Sequence, residues 1–155
     1  MRQLAIAMCA AIVALCSCQP PQVDEDAGFI AIDPDGWKYG QRYEFTPALT
    51  DSVGNVQVAI AIRHNNDYPY SNLWLELTAP LPGTDSVRID TFDIPIADVY
   101  GRWYGRGAAM SYIVVDTLDG VYHYDVSRPF TLRHIMRTDT LTDITQVGLL
   151  FNSAK

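Results

Sequence analysis

The clearest chemical role in this sequence belongs to Cys18, because of the residues that precede it. Arg2 is followed by an apolar run without charge from Leu4 to Leu15, and Ser17 places a small residue directly before the cysteine. A short cationic start, an apolar stretch of about a dozen residues and small residues at the cut are typical of a secretory signal. Leucine three positions before such a cysteine is the lipobox pattern of bacterial lipoproteins. The pattern predicts that the thiol of Cys18 takes a diacylglyceryl group and that cleavage makes it the first residue.

Two alternatives to lipidation at Cys18 remain for this segment. The apolar run is shorter than the roughly 20 residues that a spanning helix needs, and an uncleaved N-terminal anchor is the first alternative. Lipidation of Cys16 is the second, and it is disfavoured because Leu15 would occupy the position where a small residue is needed. All three cysteines, including Cys9, lie in the signal or at the cut. The mature chain is therefore expected to contain no disulfide and no thiol nucleophile.

The three histidines lack the spacing of a metal site. His64, His123 and His134 are far apart in the sequence, and zinc ligands normally lie closer together. A metal centre would require three separate strands to bring these side chains together. We therefore expect no metal site, and we interpret the histidines as isolated polar side chains on sheet faces.

The carboxylates give no specific sign of hydrolytic chemistry. Asp and Glu number 18 together, so some pair always lies close, and the aspartates cluster in turns, where Asp accepts hydrogen bonds from backbone amides. The sequence contains no nucleophile elbow, no phosphate-binding loop and no dinucleotide-binding glycine motif. We expect no enzymatic activity and no cofactor apart from the lipid on Cys18. A hydrolase with two carboxylates about 5–9 Å apart is a distant alternative.

Aromatic and arginine side chains are the remaining groups with a binding chemistry. Three Trp, nine Tyr and five Phe are present, and the run from Tyr100 to Gly107 combines aromatic residues, arginines and glycines. Aromatic residues and Arg dominate interface hot spots, and a loop on a rigid scaffold can present them to a partner. Most of the aromatic residues are expected in the core or on sheet surfaces. The predicted partner-contact residues are Tyr68, Tyr70, Trp74, Arg102, Trp103, Tyr104 and Arg106.

The elements that must position these side chains are predicted to be β-strands. Apolar and polar residues alternate with a period of two, which is typical of half-buried strands. The alternating segments are 56–63, 72–78, 87–91, 122–127 and 147–151, and the turn-forming spacers between strands are 33–36, 51–55, 80–83 and 118–120. The segment 129–137 fits either a strand or a helical turn. The pattern predicts an all-β fold, an antiparallel β-sandwich that is jelly-roll-like.

Length and charge limit the organisation and the partners of the chain. The 155 residues fit one domain: a signal peptide over 1–17, an acidic, proline-containing tether over 18–28 and the β-sandwich domain over 29–155. The net charge of −7 disfavours nucleic acids and anionic lipid surfaces. Membrane attachment is therefore expected to depend on the acyl chains, such as palmitate, at about 0.8 kcal/mol per buried CH₂.

A resemblance to a known family begins at the string Tyr68-Pro69-Tyr70-Ser71-Asn72-Leu73-Trp74-Leu75. This string closely resembles the GldH family of gliding-motility lipoproteins from Bacteroidota. The similarity extends over roughly residues 29–151 and includes the lipobox. It implies a cell-envelope lipoprotein that is needed for gliding and associated with motility and type IX secretion machinery, without catalytic residues. The further matching segments are 90–91, 96–98, 101–107, 134–137 and 141–149.

Together these features predict a lipid-anchored lipoprotein of the cell envelope, attached to the outer membrane and facing the periplasm rather than the cell surface. We expect a structural or assembly accessory of gliding-motility or type IX secretion-linked machinery, with envelope proteins as partners. The alternative is a surface or periplasmic glycan-binding β-sandwich module, which requires Trp74 or Trp103 to be exposed. No nucleic acid partner is expected. No small-molecule ligand is expected either, apart from the glycan of the alternative function.

Overall fold

The computed structural model describes residues 28–49, 53–108 and 110–153, and its regular structure is entirely β-strand. None of the described residues forms a helix with the length and apolar character needed to cross a membrane. The strands are β1 (Gly28–Ala31), β2 (Trp37–Lys38), β3 (Tyr43–Phe45), β4 (Val53–Asn65), β5 (Asn72–Pro80), β6 (Val87–Pro95), β7 (Arg106–Ala108), β8 (Ser111–Thr117), β9 (Tyr122–Asp125), β10 (Phe130–His134), β11 (Thr140–Leu141) and β12 (Ile144–Ser153).

The strands form two main sheets that pack around one core. The larger sheet has the order β1-β12-β4-β8-β7, with β9 paired to the first part of β4, and the smaller has the order β3-β10-β5-β6. Strands β11 and β2 form a separate pair. All of these strand pairs are antiparallel. The predicted all-β antiparallel sandwich in a single domain is confirmed.

The core contains the apolar positions that the alternation marked in the two central strands. In β5 the side chains of Leu73, Leu75 and Leu77 are buried, whereas Trp74 faces the outside. In β4 the apolar residues from Val56 to Ile62 are buried, and so are the alanines between them. Burial of a Leu, Ile or Val side chain contributes about 1.5–3 kcal/mol. The central strands are therefore stabilised mainly by side chains that the period of two identifies.

Strand β6 faces the opposite way from the expectation of a buried apolar face. Val87 and Ile89 are exposed, whereas Arg88 and Asp90 are half-buried. Arg88 forms an ion pair with Asp90, and its guanidinium lies 4.1 Å from the centre of the Tyr122 ring in the other sheet. A cation over a tyrosine ring is attracted by the ring quadrupole. This contact between the sheets explains why the charged residues point inward.

Two boundaries also differ from the sequence prediction, and the ambiguous segment proves to contain a strand. Residues 53–55 were expected in a turn but begin β4, where they pair with β9. The ambiguous segment 129–137 contains a strand, β10, and no helical turn. The aromatic run 100–107 is not one loop, because it extends into β7, which pairs with β8.

The strand directions give the sandwich two distinct ends. The end at which β4 finishes and β12 begins is termed the distal end, and it contains segments 66–71, 96–104 and 135–143. The opposite end is termed the proximal end. Gly28 pairs with Leu149, which in turn pairs with Ile60 in the middle of β4. Since β1 runs from there toward the distal end, the chain enters the sandwich from the proximal side.

Candidate functional site

The two aromatic strings that the sequence singled out meet at the distal end. The backbone amides of Ile96 and Ala97 donate to the carbonyl oxygen of Ser71 at 2.8 and 2.9 Å. The indole Nε1 of Trp103 donates to Oδ1 of Asn66 at 2.8 Å. These hydrogen bonds join segment 66–71 to segment 96–104, so that residues far apart in sequence form one surface.

A buried aromatic stack supports this surface. The His64 ring is fully buried, with its centre 4.9 Å from that of Trp103 and 5.6 Å from that of Tyr112. Its Nδ1 lies 2.9 Å from the carbonyl oxygen of Asn65. Burial lowers the pKa of His64 below its usual value, and the contact with Asn65 opposes this effect. His64 therefore acts as a neutral packing group under the distal surface.

His134 occupies a comparable environment, and His123 does not. His134 is fully buried, its Nε2 lies 3.0 Å from the carbonyl oxygen of Trp37, and burial lowers its pKa. His123 is exposed, 3.0 Å from Oδ1 of Asn55. The expectation of isolated histidines on sheet faces is thus wrong for His64 and His134. Within the described ranges no three His, Cys, Asp or Glu side chains lie close enough to hold a metal ion.

Tyr68 was predicted to contact a partner, but the structure places its side chain in the core. Its side chain is 3% exposed, and its hydroxyl donates to the carbonyl oxygen of Asn72 at 2.9 Å. Burial raises the pKa of Tyr68 far above its usual value, with a smaller contribution from Tyr70. The residue before a proline is held in extended conformation, and here that conformation directs the Tyr68 ring into the core. A buried ring cannot contact a partner, so its role is structural.

The other predicted contact residues have some access to solvent. Tyr70, Arg102, Tyr104 and Arg106 are exposed, and Trp74 is 41% exposed. Trp103 is half-buried over the His64 ring, so that only part of the indole is accessible. Tyr70, Trp74, Arg102 and part of the Trp103 indole are therefore accessible to a partner at the distal end.

A groove lies beside Trp74 on this surface. Its volume is about 530 Å³, and its lining residues are Tyr70, Trp74, Ile135, Met136 and Arg137. The Sδ of Met136 accepts a hydrogen bond from the Trp74 amide at 3.3 Å, which fixes the floor against β5. An apolar floor, two exposed aromatic rings and one arginine provide stacking, apolar and charged contacts in one place.

The segment between Ala97 and Trp103 forms a short, rigid hairpin. Asp98 Oδ1 accepts from the amides of Tyr100 and Arg102, both at 2.9 Å, and Oδ2 accepts from Arg102 Nε at 2.7 Å. The amide of Arg102, then its guanidinium and the Tyr100 amide, hold the pKa of Asp98 below its usual value. Gly101 closes the turn through a 3.0 Å hydrogen bond to the Asp98 carbonyl. One carboxylate thus fixes the whole turn.

Val99 at the hairpin tip is the residue that the sequence prediction missed. It is 92% exposed, and Tyr100 beside it is 82% exposed. A signal for this turn exists in the sequence, because Asp98 and Gly101 occupy the first and fourth positions, as β-turns favour. A turn of that type places its two central residues at the tip.

Most of this sequence matches the profile of one known protein family. The sequence profile of the GldH lipoprotein family matches residues 27–150. The chain belongs to the GldH lipoprotein family. The match spans both aromatic strings and nearly all of the described sandwich, which confirms the resemblance that those strings suggested. No curated protein and no solved structure matches the chain.

Membership in the GldH family indicates the general class of this protein. The family is one of lipoproteins in the context of gliding motility, and a lipoprotein is held at a membrane by its acyl chains. Cys18, the predicted lipidation site, and the signal peptide over 1–17 lie outside the described residues. The tether over 18–28 also lies outside them, except for its last residue, Gly28.

Proposed function

We propose that this GldH-family protein is a lipid-anchored accessory of gliding-motility or type IX secretion-linked machinery that binds envelope proteins through its distal end. The observation that carries the proposal is the meeting of segments 66–71 and 96–104 at the distal end, joined by hydrogen bonds to Ser71 and Asn66. Exposed aromatic and arginine side chains over a rigid, fully packed base match the composition of interface hot spots.

The charge of the distal surface supports protein binding. The chain as a whole has a net charge of −7, yet Arg102, Arg106 and Arg137 are exposed on or near this end. Among the described residues, Arg106 and Arg137 form no ion pair, whereas Arg102 pairs with Asp98. Asp67 and Asp139 are exposed on the same end, so the distal surface presents charges of both signs. Arg106 and Arg137 are available for direct contacts with carboxylates of a partner.

A binding role rather than a catalytic one is part of the proposal. The imidazole at the distal end that is suited to proton transfer, His64, is buried beneath Trp103 and Tyr112. The Asp98 carboxylate at the same end is engaged by three hydrogen bonds within its own turn. Both groups have structural partners that account for their positions, which supports a scaffold for contacts.

We place the protein at the outer membrane, facing the periplasm. The support is the lipobox at Cys18 and membership in a lipoprotein family. Protease treatment of intact cells, followed by immunodetection, tests the side of the membrane. Protection is expected, and loss of the protein from intact cells would instead place it on the cell surface.

The partner-binding proposal is tested in envelopes solubilised with mild detergent. Native electrophoresis and size-exclusion chromatography are expected to find the chain in a complex larger than its monomer, with the same protein partners in replicate preparations. An unrelated outer-membrane lipoprotein, solubilised in parallel, controls for trapped material. A chain that migrates as a monomer without a reproducible partner would contradict the proposal.

Glycan binding is the second candidate, and the groove beside Trp74 favours it. Trp74 and Tyr70 line this groove together with Arg137, and exposed rings of this kind stack on sugars. Trp103 contributes less, because its indole is half-buried and bonded to Asn66. A glycan array with the wild-type domain, Trp74→Ala and Tyr104→Ala distinguishes the cases. Binding that Trp74→Ala abolishes and Tyr104→Ala retains would support this function, and an array without hits would end it.

A further inference from the structure

The larger sheet has a second face, formed by the side chains that point away from the core. In β4 these are odd-numbered positions such as Ala61, since Ile60 and Ile62 enter the core. Residues paired across neighbouring strands share a face. The outward positions are the odd numbers 57–63 in β4, the even numbers 146–152 in β12, the odd numbers 113–117 in β8, Phe29 and Ala31 in β1 and Arg106 in β7. We term this surface the cationic face.

The charge of the cationic face is opposite to that of the chain. None of its positions holds Asp or Glu, and its charged side chains are Arg63 in the middle and Arg106 at the β7 edge. The chain as a whole has a net charge of −7, so the carboxylates are concentrated on other surfaces. Among the described residues Arg63 forms no ion pair, and its guanidinium lies 5.7 Å from the centre of the Phe29 ring.

Small residues leave the larger apolar side chains of this face raised above the sheet. The Phe29 ring lies across Gly148, where a Cβ would come within 3.0 Å of it. Ala61 lies between Gly148 and Val115 in the same row, and Val115 is 47% exposed. Leu150 in the next row is half-buried. A surface that approaches the sheet therefore meets aromatic and aliphatic groups beside an arginine.

The anchoring membrane is a surface that this domain always has close by. A protein of a lipoprotein family is held at a membrane by its acyl chains. The residues between the predicted lipidation site Cys18 and Gly28 span at most about 35 Å. That limit fixes no orientation, but it keeps the domain beside the bilayer at a high effective concentration. Modest differences between the faces of the domain then decide which face meets the lipid.

Other surfaces of the domain present carboxylates. The outward side chains of the smaller sheet include Glu44, Glu76 and Asp93, and the distal end includes the exposed Asp67 and Asp139. Anionic lipid headgroups attract arginine side chains and repel carboxylates. Apolar groups that enter the headgroup region add to this attraction. The cationic face has both properties and therefore suits a bilayer that contains anionic lipid.

A second copy of the chain suits this face poorly. In a two-fold symmetric contact the same patch meets itself. Arg63 and Arg106 would then face arginines of the other copy, and no position of the face supplies a carboxylate to neutralise them. Like charges across an interface oppose association.

From these observations we infer that the cationic face rests on the anchoring bilayer, with Phe29 and Val115 in the headgroup region and Arg63 against anionic phosphate. The acyl chains supply the attachment, and the face sets the orientation. The strands then run along the membrane plane, so that the distal end points sideways toward other proteins of the same membrane. This inference concerns the contact with lipid and does not depend on the proposed protein partner.

Fluorescence quenching in the full-length, lipidated protein tests the inference. The native cysteines lie in the signal or at the predicted lipidation site, so Val115→Cys provides a single free thiol for an environment-sensitive fluorophore. The matched control is Ile89→Cys, at a 58% exposed position on the smaller sheet. The protein is reconstituted into vesicles of phosphatidylethanolamine and phosphatidylglycerol that contain a headgroup nitroxide quencher. Stronger quenching is expected at position 115 than at position 89, and vesicles of phosphatidylcholine alone should reduce the difference.

Charge variants test the role of Arg63 in the same assay. Arg63→Gln is expected to shift the balance between contacting and free orientations about fivefold toward the free one. Arg42→Gln removes an equal charge near Glu76 of the smaller sheet and should leave the quenching at position 115 unchanged. Thermal unfolding of each variant checks that the domain remains folded.

Several outcomes would overturn the inference. In vesicles they are equal quenching at the two positions, stronger quenching at position 89, or quenching at position 115 that Arg63→Gln leaves unchanged. In living cells, p-benzoylphenylalanine at position 115 is expected to give an adduct with phospholipid. An adduct with another protein would show that an acidic partner covers this face, a dimer would show a second copy, and either result, or no adduct, would contradict the inference. None of these outcomes bears on the complex in detergent extracts, which tests the proposed function separately.

Discussion

At the scale of single residues, the buried histidines couple the stability of this fold to pH. Burial lowers the pKa of both His64 and His134, below an ordinary value of about 6.5. Trp103 and Tyr112 pack against the His64 ring, and Trp37 packs against the His134 ring. Arg133 adds a like charge near His134. Folding therefore favours the neutral rings.

The sign of the pH effect follows from this preference. Each histidine has a lower pKa in the folded chain than in the unfolded chain, and between these two values the unfolded chain binds more protons. The histidine contribution to stability is therefore complete above about pH 6.5 and is lost as pH falls below it. Urea unfolding between pH 5 and 8 is expected to give a falling free energy of unfolding on the acid side. Replacement His134→Gln should flatten that slope, whereas His123→Gln, at an exposed position, should leave it unchanged. A slope that neither replacement alters would refute this assignment.

Glu76 acts in a lower pH window and can be separated from the histidines. Arg133 donates to both carboxylate oxygens of Glu76 at 2.6 and 2.7 Å, and this bond lowers the pKa of Glu76. Its contribution is present above the ordinary carboxylate value of about 4.3 and is lost only as pH falls below that. Glu76 is therefore not expected to contribute to a loss of stability between pH 6.5 and 5.

Cys18 carries the one covalent chemistry that the sequence predicts. We expect Cys18→Ala to abolish lipidation, because the thiol is the acceptor of the diacylglyceryl group. Labelling with a fatty-acid probe, followed by detection of the protein, measures this directly. Cys16→Ala is the matched control and should label as wild type does. Persistent labelling of Cys18→Ala would show that the acceptor lies elsewhere.

At the scale of elements, the turn that joins the hairpin to β7 depends on a glycine. Gly105 has a φ of +80°, and a Cβ there would overlap the backbone carbonyl of Ile113 in β8. Gly101 has a similar φ of +78° but open space around it. The two positions therefore separate the conformational cost of a side chain from its steric cost.

Alanine at these two glycines gives a direct comparison. Gly101→Ala is expected to lower the free energy of unfolding by about 1–2 kcal/mol, the cost of a left-handed residue with a Cβ. Gly105→Ala should cost about 2–5 kcal/mol, because a backbone clash is added to that strain. Urea unfolding of both variants measures the difference. Equal losses would mean that β7 and β8 do not approach as closely as described.

The elements also show which parts of the fold a sequence can reveal. The strands β4 and β5 were predictable, because a period of two is written in neighbouring residues such as Leu73 and Leu75. The facing of β6 was not, since it depends on Arg88 meeting Tyr122 from the other sheet. Burial of His64 likewise depends on rings that are distant in the chain. Local patterns predict elements, whereas pairings between distant residues decide which faces become surface.

The composition of the candidate site could likewise be predicted from local sequence, whereas its assembly from distant segments could not. Its aromatic and arginine composition was visible in segments 68–75 and 100–107, but the hydrogen bonds that join segment 66–71 to segment 96–104 were not. Tyr68 was misplaced because sequence does not reveal which side of an extended segment faces the core. Val99 could have been found from the turn that Asp98 and Gly101 define.

At the scale of the whole molecule, the proposed binding surface occupies one end of the sandwich. The chain enters from the proximal side at Gly28, and the aromatic and arginine surface lies at the distal end. This arrangement suits a component that presents one contact surface to a larger envelope assembly.

The most direct test of this account compares complexes in solubilised envelopes from cells that produce wild type, Val99→Asp or Val121→Asp. Both replacements add one negative charge at an exposed valine, Val99 at the tip of the distal hairpin and Val121 between β8 and β9, away from the distal end. We predict that wild type and Val121→Asp migrate in the same complex on native electrophoresis, whereas Val99→Asp migrates as a free lipoprotein with unchanged thermal stability. A wild-type chain without a complex, or a Val99→Asp chain that remains fully in it, would contradict the account.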